Sequence, residues 1–251
     1  MRRISIIGIG AGDPEYMTVQ AINALNRIDV FFIPDKGAEK AVLHERRREI
    51  CQRFIKDRPY RFVEIKVPER AKAFSDYRAN VEEWHAKIEK AYETLLAKEL
   101  AEGERGAFLI WGDPTLFDST LRIVESIRSK GFALEYDVIP GISSVQALAA
   151  KHRVALNRIG EPVLITPARR LAEGLDAAGS VVVVLDGDQA FKRIEGQAFD
   201  IYWGAYLGTE QEILVSGRLS EVSGDIEAVR QRARQENGWI MDTYLLRKRL
   251  D

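Results

Sequence analysis

Residues 4–14, ISIIGIGAGDP, pass from a short apolar run into a glycine-rich turn that ends in aspartate and proline. An apolar run that stops at glycines is typical of a buried parallel strand, predicted here over residues 4–9. Beyond Pro14, apolar side chains recur every three or four residues as far as Ile28, which predicts a helix. The chain is therefore expected to open with a strand, a tight turn and a helix.

The same order recurs along the first half of the chain. The predicted strands there are residues 4–9, 29–33, 60–67, 105–111 and 132–139, with helical patterns between them. The last two of these strands run into the turns Gly112-Asp113-Pro114 and Pro140-Gly141. Because strands that alternate with helices indicate crossover connections, a parallel sheet is predicted for residues 1–156.

Residues 157–251 have shorter connections, so some of their strands are close enough to pair in an antiparallel manner. The predicted strands are residues 163–166, 181–185, 200–205, 212–216 and 239–246, and the clearest helix spans residues 225–236. We therefore predict two α/β domains, a parallel one over 1–156 that holds the glycine-rich and GDP turns and a mixed-sheet one over 157–251. The active-site cleft is expected between them.

The composition argues against several classes of protein. The 251 residues include 37 Lys or Arg and 38 Asp or Glu, and a net charge of −1 disfavours a broad nucleic-acid surface. Cys51 has no partner for an internal disulfide, and His44, His85 and His152 lack metal-ligand spacing, so no metal is expected. No apolar run approaches the ~20 residues of a membrane span. We expect a cytoplasmic protein that binds neither nucleic acid nor membrane.

The three turns follow predicted strands, and ligands of parallel sheets bind at the carboxyl ends of strands. The first turn is not the dinucleotide fingerprint, because Asp13 replaces its third glycine, and no Gly-Lys-Ser or Gly-Lys-Thr phosphate loop occurs. Asp13 and Asp113 would repel a phosphate, so a ligand with hydroxyl groups or positive charge is favoured. The alternative is structural, since Asp followed by Pro is common at a helix start.

These turns resemble those of the S-adenosylmethionine-dependent tetrapyrrole (precorrin and uroporphyrinogen) methyltransferases. Residues 8–14 with Thr18 look like the family's opening loop, Gly112-Asp113-Pro114 like its GDP turn, and residues 140–144 like its PG-x-S turn, in the family's order. The resemblance implies S-adenosyl-L-methionine as cofactor. The contacts it implies in this chain are Gly10, Ala11, Trp111, Gly112, Asp113, Leu116, Ser143, Ser144, Asp186, Ala205 and Tyr206.

Three of these positions depart from the family's usual pattern. Ala11 stands where most relatives have proline, and Trp111 replaces the first glycine of a GGDP turn. Asp186 falls where many relatives place a methionine near the adenine. These differences weaken the inference that the family's usual cofactor contacts apply to this chain at these three positions.

Residues 111–120 and 201–208 look like one branch of the family, which acts in aerobic cobalamin biosynthesis. The resemblance implies methylation of carbon 1 of precorrin-5, a tetrapyrrole, with loss of the extruded acyl group as acetate. Methyl transfer needs no covalent nucleophile, but release of acetate requires a group that accepts a proton from water. Asp13 is the candidate catalytic base, and a helix cap is its alternative role.

The substrate carries several carboxylates, so arginines are expected in its pocket. The available side chains are Arg46, Arg47, Arg48, Arg169 and Arg170, although a charge run on a helix is more often a solvated face. Trp203 and Tyr206 could stack on the macrocycle or lie in the core. The resemblance also suggests a homodimer. Two alternatives stay open: a precorrin methyltransferase acting at a different ring carbon, and a non-catalytic nucleotide-binding module.

Overall fold

The computed structural model describes residues 1–35, 41–66, 77–175 and 177–250. The chain divides into two compact units. Unit 1 comprises Met1–Gly10 and Pro14–Ile142, and unit 2 comprises Ala11–Asp13 and Ser143–Asp251. The short segment Ala11–Asp13 is thus grouped with the second half of the chain.

Unit 1 is built on a five-stranded parallel sheet. Its strands are β1 (Arg2–Gly8), β2 (Val30–Asp35), β3 (Arg61–Lys66), β4 (Arg105–Ile110) and β5 (Leu134–Ile139). They lie side by side in the order β3-β2-β4-β1-β5, and every neighbouring pair is parallel. The five predicted strands are confirmed to within two residues at each end.

Four helices cover the two faces of this sheet: α1 (Val19–Leu25), α2 (Ala41–Phe54), α3 (Tyr77–Glu99) and α4 (Thr120–Ser129). Consecutive strand residues point to opposite faces, so Phe31 packs with α1 and α2 while Phe32 packs with α3 and α4. Tyr92 of α3 stacks on Phe108 with ring centroids 4.8 Å apart. Because neighbouring apolar residues of a strand point to opposite faces, both faces of the sheet are buried beneath helices.

Unit 2 is built on a mixed sheet. Its strands are β6 (Val163–Pro167), β7 (Ser180–Val184), β8 (Phe199–Ala205), β9 (Ile213–Arg218) and β10 (Asp242–Lys248). They lie in the order β6-β7-β10-β8-β9, with β6 and β7 parallel and the other pairs antiparallel. The five predicted strands are present, although β10 begins three residues later than predicted. Because β7 and β8 both run antiparallel to β10, their carboxyl ends lie at the same edge of the sheet.

The helices of unit 2 are α5 (Ser144–His152), α6 (Leu171–Gly174) and α7 (Leu219–Asn237). Helix α5 packs on β8, β9 and β10, and the His152 Nε2 lies 3.0 Å from the Trp203 carbonyl oxygen. The predicted domain boundary after residue 156 would place α5 in the first domain, whereas the compact units divide at Ile142. The two boundaries differ by helix α5, which contacts strands that lie much later in the chain.

Two findings concern the chemistry open to the chain. In the described ranges, no helix is both long enough and apolar enough to cross a membrane. Within the same ranges, no group of three or more His, Cys, Asp or Glu side chains is placed to hold a metal ion. The His85 side chain lies outside what the structure describes.

Candidate functional site

The turns that follow β1 and β4 are paired through their backbones at the carboxyl edge of the unit 1 sheet. The Gly112 N–H donates to the Gly10 carbonyl at 2.8 Å, and the Gly10 N–H donates to the Gly112 carbonyl at 3.3 Å. The two residues have φ angles of +80° and +72°, a region that glycine enters at little cost. The structure thus brings together two of the predicted cofactor positions, Gly10 and Gly112.

The turn that follows β5 lies directly against the other two. A Cβ atom on Gly8 would stand 2.6 Å from the Gly141 nitrogen and 2.9 Å from the Gly112 oxygen. A Cβ atom on Gly141 would overlap the Gly112 oxygen and stand 2.9 Å from the Gly8 carbonyl carbon. Three backbones therefore meet here with no room for side chains.

Asp113 joins the second turn to the third. One carboxylate oxygen accepts the Gly141 N–H at 2.9 Å, and the other accepts the Thr115 N–H at 2.8 Å and the Thr115 hydroxyl. Burial opposes ionisation, but the hydrogen bonds from Thr115 and Gly141 outweigh it and hold the pKa of Asp113 below its usual value. The carboxylate is charged at neutral pH and fastens the loops that surround it.

The other predicted cofactor positions of unit 1 flank this contact. Trp111 is half-buried against the cluster that contains Ile50 and Cys51 of α2. Its indole Nε1 is buried and has no hydrogen-bond partner in the described structure. Leu116 is half-buried, and its N–H donates to the Asp113 carbonyl at 3.2 Å.

In unit 2, the segment Ala11–Asp13 lies against the turn that follows β8. A Cβ atom on Gly12 would overlap the Leu207 carbonyl oxygen and stand 3.0 Å from the Thr209 methyl carbon. Ala11 is buried and Asp13 half-buried. The predicted base thus lies next to a main-chain contact of the same kind as in unit 1.

The two aromatic candidates, Trp203 on β8 and Tyr206 directly after it, point into the core. Trp203 is fully buried, and Tyr206 is 2% exposed with its hydroxyl donating to the carbonyls of Trp239 and Ala233. Of the two roles predicted for these side chains, the structure shows the core role. Ala205 is also fully buried, so Ala205 and Tyr206 can offer a ligand only main-chain atoms.

The Asp186 carboxylate also points inward. It is 5% exposed and accepts the Asp188 N–H at 3.0 Å, the Ala190 N–H at 2.8 Å and the Tyr244 hydroxyl at 2.7 Å. The preceding residue, Leu185, has a φ of +55° and a 64% exposed side chain. The predicted contact at Asp186 is thus limited to its main chain, because the carboxylate closes the turn after β7.

A buried ion pair supports this turn, and the sequence analysis did not identify it. Arg230 Nε lies 3.0 Å from an Asp242 carboxylate oxygen, and Arg230 Nη2 donates to the Asp186 carbonyl at 2.7 Å. The Trp203 indole donates to the same Asp242 oxygen at 3.0 Å. Burial raises the pKa of Asp242 although Arg230 and Trp203 oppose the shift. The available signal was the position of Arg230, within the apolar stripe of α7 between Ile226 and Ala233.

Ser143 caps helix α5. Its hydroxyl accepts the Val145 N–H at 3.2 Å, and the Gln146 side chain accepts the Ser143 N–H at 3.1 Å. Ser143 is 4% exposed and Ser144 is half-buried. The cap occupies the Ser143 hydroxyl as an acceptor.

The five candidate arginines differ in their surroundings. Arg46 pairs with Glu49 at 2.7 Å, and Arg170 pairs with Glu173 at 2.7 Å. Arg48 lies 4.7 Å from the Phe62 ring centroid. Arg169 is exposed, whereas Arg47 is 9% exposed and turns toward the sheet.

The fold and the three joined turns define a class of methyl-transferring enzymes. The family model for Tetrapyrrole (Corrin/Porphyrin) Methylases matches residues 3–223, and the chain belongs to this family. The chain is 56% identical to the precorrin-6A synthase (deacetylating) of Sinorhizobium sp. over 253 residues, which cover 100% of this chain and 97% of that protein. It is 24% identical to the probable cobalt-precorrin-2 C(20)-methyltransferase of Methanocaldococcus jannaschii, with 90% and 91% covered.

Solved structures agree with this assignment. A protein of Corynebacterium diphtheriae described as related to cobalamin synthesis (CobF) has a TM-score of 0.83 and 37% identity, with 99% of both chains covered. The uroporphyrin-III-C-methyltransferase of Thermus thermophilus has a TM-score of 0.62 and 20% identity, with 98% of this chain and 92% of that chain covered, and supports the fold alone. The predicted family and fold class are confirmed.

The contact among the three turns predicts that Gly141→Ala destabilises the protein by about 1–3 kcal/mol, because a methyl group must displace the Gly112 carbonyl. Urea unfolding followed by circular dichroism measures the change. Gly224→Ala is the control: it lies in α7 with no atom within 4 Å of the new Cβ, and it should stabilise the protein by ~0.5–1 kcal/mol. Equal stability of Gly141→Ala and the natural chain would contradict the tight contact.

The ion pair predicts a pH-dependent loss of stability in Arg230→Met. At pH 7 the variant leaves a buried Asp242 carboxylate without its cation, a loss of about 3–5 kcal/mol. Burial already raises the pKa of Asp242, and removal of Arg230 raises it further. A carboxyl group whose pKa is higher in the folded than in the unfolded state makes the protein less stable as pH rises. The difference in free energy of unfolding between Arg230→Met and the natural chain should therefore shrink toward pH 5.

Urea unfolding at pH 5, 6 and 7 measures this dependence. Arg232→Met, at an exposed position of the same helix, is the control and should stay within about 0.5 kcal/mol of the natural chain at each pH. A loss in Arg230→Met that does not vary with pH would argue against proton uptake by Asp242.

Proposed function

We propose that the chain is a precorrin-6A synthase (deacetylating) of aerobic cobalamin biosynthesis. It transfers a methyl group from S-adenosyl-L-methionine to carbon 1 of precorrin-5, and acetate is released. The observation that carries this proposal is the 56% identity to a protein of that name along the whole chain. The structural likeness to CobF at 37% identity supports the same biosynthetic route.

The residues at the carboxyl edge of the unit 1 sheet fit this cofactor. The edge consists of main-chain turns and the ionised Asp113 carboxylate, which suits a ligand that carries a sulfonium, an ammonium and ribose hydroxyls but no phosphate. S-adenosylmethionine supplies an activated methyl group. In unit 1, Gly10, Gly112, Asp113 and Leu116 would hold it, and Trp111 would contribute only main-chain atoms.

In unit 2 the proposed contacts come mostly from the backbone. Asp186, Ala205 and Tyr206 can contribute main-chain atoms, because Ala205 is buried and the side chains of the other two are occupied inside the core. Ala11 and the two serines, Ser143 and Ser144, complete the set.

The chain's part in methyl transfer is positional. The reaction is an in-line displacement, so the protein must align the methyl group with the carbon that attacks it and exclude water, which can account for ~7–11 kcal/mol of the barrier. The rigid backbone contacts of Gly8, Gly112 and Gly141 provide such a fixed surface. No nucleophilic side chain is required.

Release of acetate needs a second chemistry. Water adds to the acyl carbonyl, the carbon–carbon bond to the macrocycle breaks with its electron pair returning to the macrocycle, and a proton leaves the water. Asp13 is the proposed acceptor of that proton. Its half-buried position at the start of the helical turn Pro14–Tyr16 also fits its alternative role as a cap.

The function is tested by incubating the purified chain with S-adenosylmethionine and precorrin-5 and measuring acetate and methylated product together. Equal amounts are expected, with the new methyl group located at carbon 1 by NMR. Methylation without acetate, or at another ring carbon, would favour the other precorrin methyltransferases. Calorimetric binding of NAD or ATP, with none of S-adenosylmethionine, would instead favour a nucleotide-binding module.

Asp13→Asn is predicted to separate the two chemistries. If Asp13 is the base, acetate release falls by about 10²–10⁴-fold while the first methyl transfer and cofactor affinity change little. Single-turnover assays with labelled methyl donor measure each step. Glu15→Gln, two residues along and paired with Arg53, is the matched control. An equal fall in both steps, or no fall, would assign Asp13 to the cap.

From the family resemblance, the proposal also includes that the chain forms a homodimer and is located in the cytoplasm. Sedimentation velocity of the purified protein tests the first. A single species at the mass of one 28.4 kDa chain would refute the dimer.

A further inference from the structure

Strands β2 and β4 separate at their carboxyl ends. They pair only from Val30 with Gly106 to Phe32 with Phe108, although β2 continues to Asp35 and β4 to Ile110. The Ile110 carbonyl accepts the Ile9 N–H on the side of β1. Because successive carbonyls of a strand point to opposite sides, the Leu109 carbonyl points toward β2, where no strand partner remains.

Arg47 of α2 occupies this gap. Its Nε donates to the Leu109 carbonyl at 2.9 Å, and its Nη1 donates to the Leu43 carbonyl at 2.8 Å. Nη2 donates no hydrogen bond to a described residue, and this nitrogen is not fully enclosed although Arg47 as a whole is only 9% exposed. The N–H groups of Nη2 therefore remain open to an acceptor that reaches the gap.

Among the residues that the structure describes, the charged groups around Arg47 do not supply an acceptor for Nη2. The Asp118 carboxylate attracts the Arg47 guanidinium electrostatically but does not form an ion pair with it. This carboxylate accepts the Thr120 N–H at 2.7 Å. The Tyr92 hydroxyl is engaged by Thr120. Burial lowers the pKa of Arg47 to about 10, against the opposing effect of Asp118, so the guanidinium keeps its proton at neutral pH.

Trp111 contributes a second unpaired donor on the same side of the sheet. It packs in the cluster formed by Leu109 with Ile50 and Cys51, which lie three and four positions after Arg47 on α2. Residues with that spacing share one face of a helix, so Arg47 and Trp111 both belong to the α2 side of the β4 end. The buried Trp111 Nε1 has no acceptor in the described structure.

We propose that the gap between the carboxyl ends of β2 and β4 is a carboxylate subsite, in which Arg47 and Trp111 bind one acidic side chain of the tetrapyrrole substrate. The inference rests on the proposed function for the identity of that substrate. Arg47 alone among the five candidate arginines is buried beside strand β4 with donors unused; the hydrogen bonds to Leu109 and Leu43 hold its guanidinium in place. Recognition of a carboxylate by a fixed guanidinium is strong and directional.

Two variants test the subsite. Trp111→Phe keeps an aromatic ring and removes only the indole N–H, and Arg47→Lys keeps the charge but loses the fork of donors. Each should raise the KM for precorrin-5 by about 10-fold or more, and Arg47→Lys should leave kcat and the calorimetric Kd for S-adenosylmethionine within two-fold of the natural chain. Arg46→Lys, the neighbouring residue paired with Glu49, is the control and should leave all three unchanged.

A merely structural Trp111 would give a different result. Removal of an unsatisfied buried donor would then leave the KM unchanged and stability equal or higher, and that outcome in a folded Trp111→Phe would overturn the proposal. Weaker cofactor binding with an unchanged precorrin-5 KM would also overturn it, since the donors would then serve the cofactor's carboxylate.

A binding assay separates the subsite from the reaction. Uroporphyrin, a stable tetrapyrrole with eight carboxylates, is titrated against the natural chain and both variants by fluorescence quenching. Binding that weakens about 10-fold in the variants supports the subsite even if the natural chain forms no methylated product, in which case only the proposed function fails. Product formation with uroporphyrin affinity equal in all chains refutes the subsite alone, and no uroporphyrin binding by the natural chain refutes it too.

Discussion

The contact of three backbones at Gly8, Gly112 and Gly141 is the constraint on which the candidate site of unit 1 depends. Parallel pairing of β4, β1 and β5 brings the ends of these strands together, and any Cβ at Gly8 or Gly141 would force the turns apart. Asp113 then fastens the second turn to the third through a charge-assisted hydrogen bond. The result is a fixed main-chain surface of the kind that suits positional catalysis.

Unit 2 depends on a different interaction, a buried network of charged side chains. Asp186 closes the turn after β7, and Arg230 and Asp242 connect that turn to α7 and β10. Each charge in the network is neutralised or hydrogen-bonded, as burial requires. The carboxylates of Asp186 and Asp242 are thus engaged inside the unit and do not face a ligand.

The prediction succeeded where the signal was local. The ten strands followed from apolar runs and their turn residues. Glycine and Asp-Pro at strand ends are likewise visible in the sequence, and the structure brings the turns that hold Gly10, Gly112 and Asp113 together. It was incomplete where the signal was distant. The roles of Asp186 and Tyr206 depend on partners such as Tyr244 and Trp239, and the placement of α5 depends on strands 50 to 100 residues further along.

By itself the sequence determined the α/β class, the order of the elements, the three turns and the family, because each is encoded in periodicity or in short motifs. Only the tertiary structure decided the strand order β3-β2-β4-β1-β5, the inward direction of Asp186 and Tyr206, and the burial of Arg47 against strand β4. Strand order and side-chain direction result from pairing between distant segments. Because the free energy of burying and pairing these groups depends on residues far apart in the chain, a local sequence pattern cannot predict it.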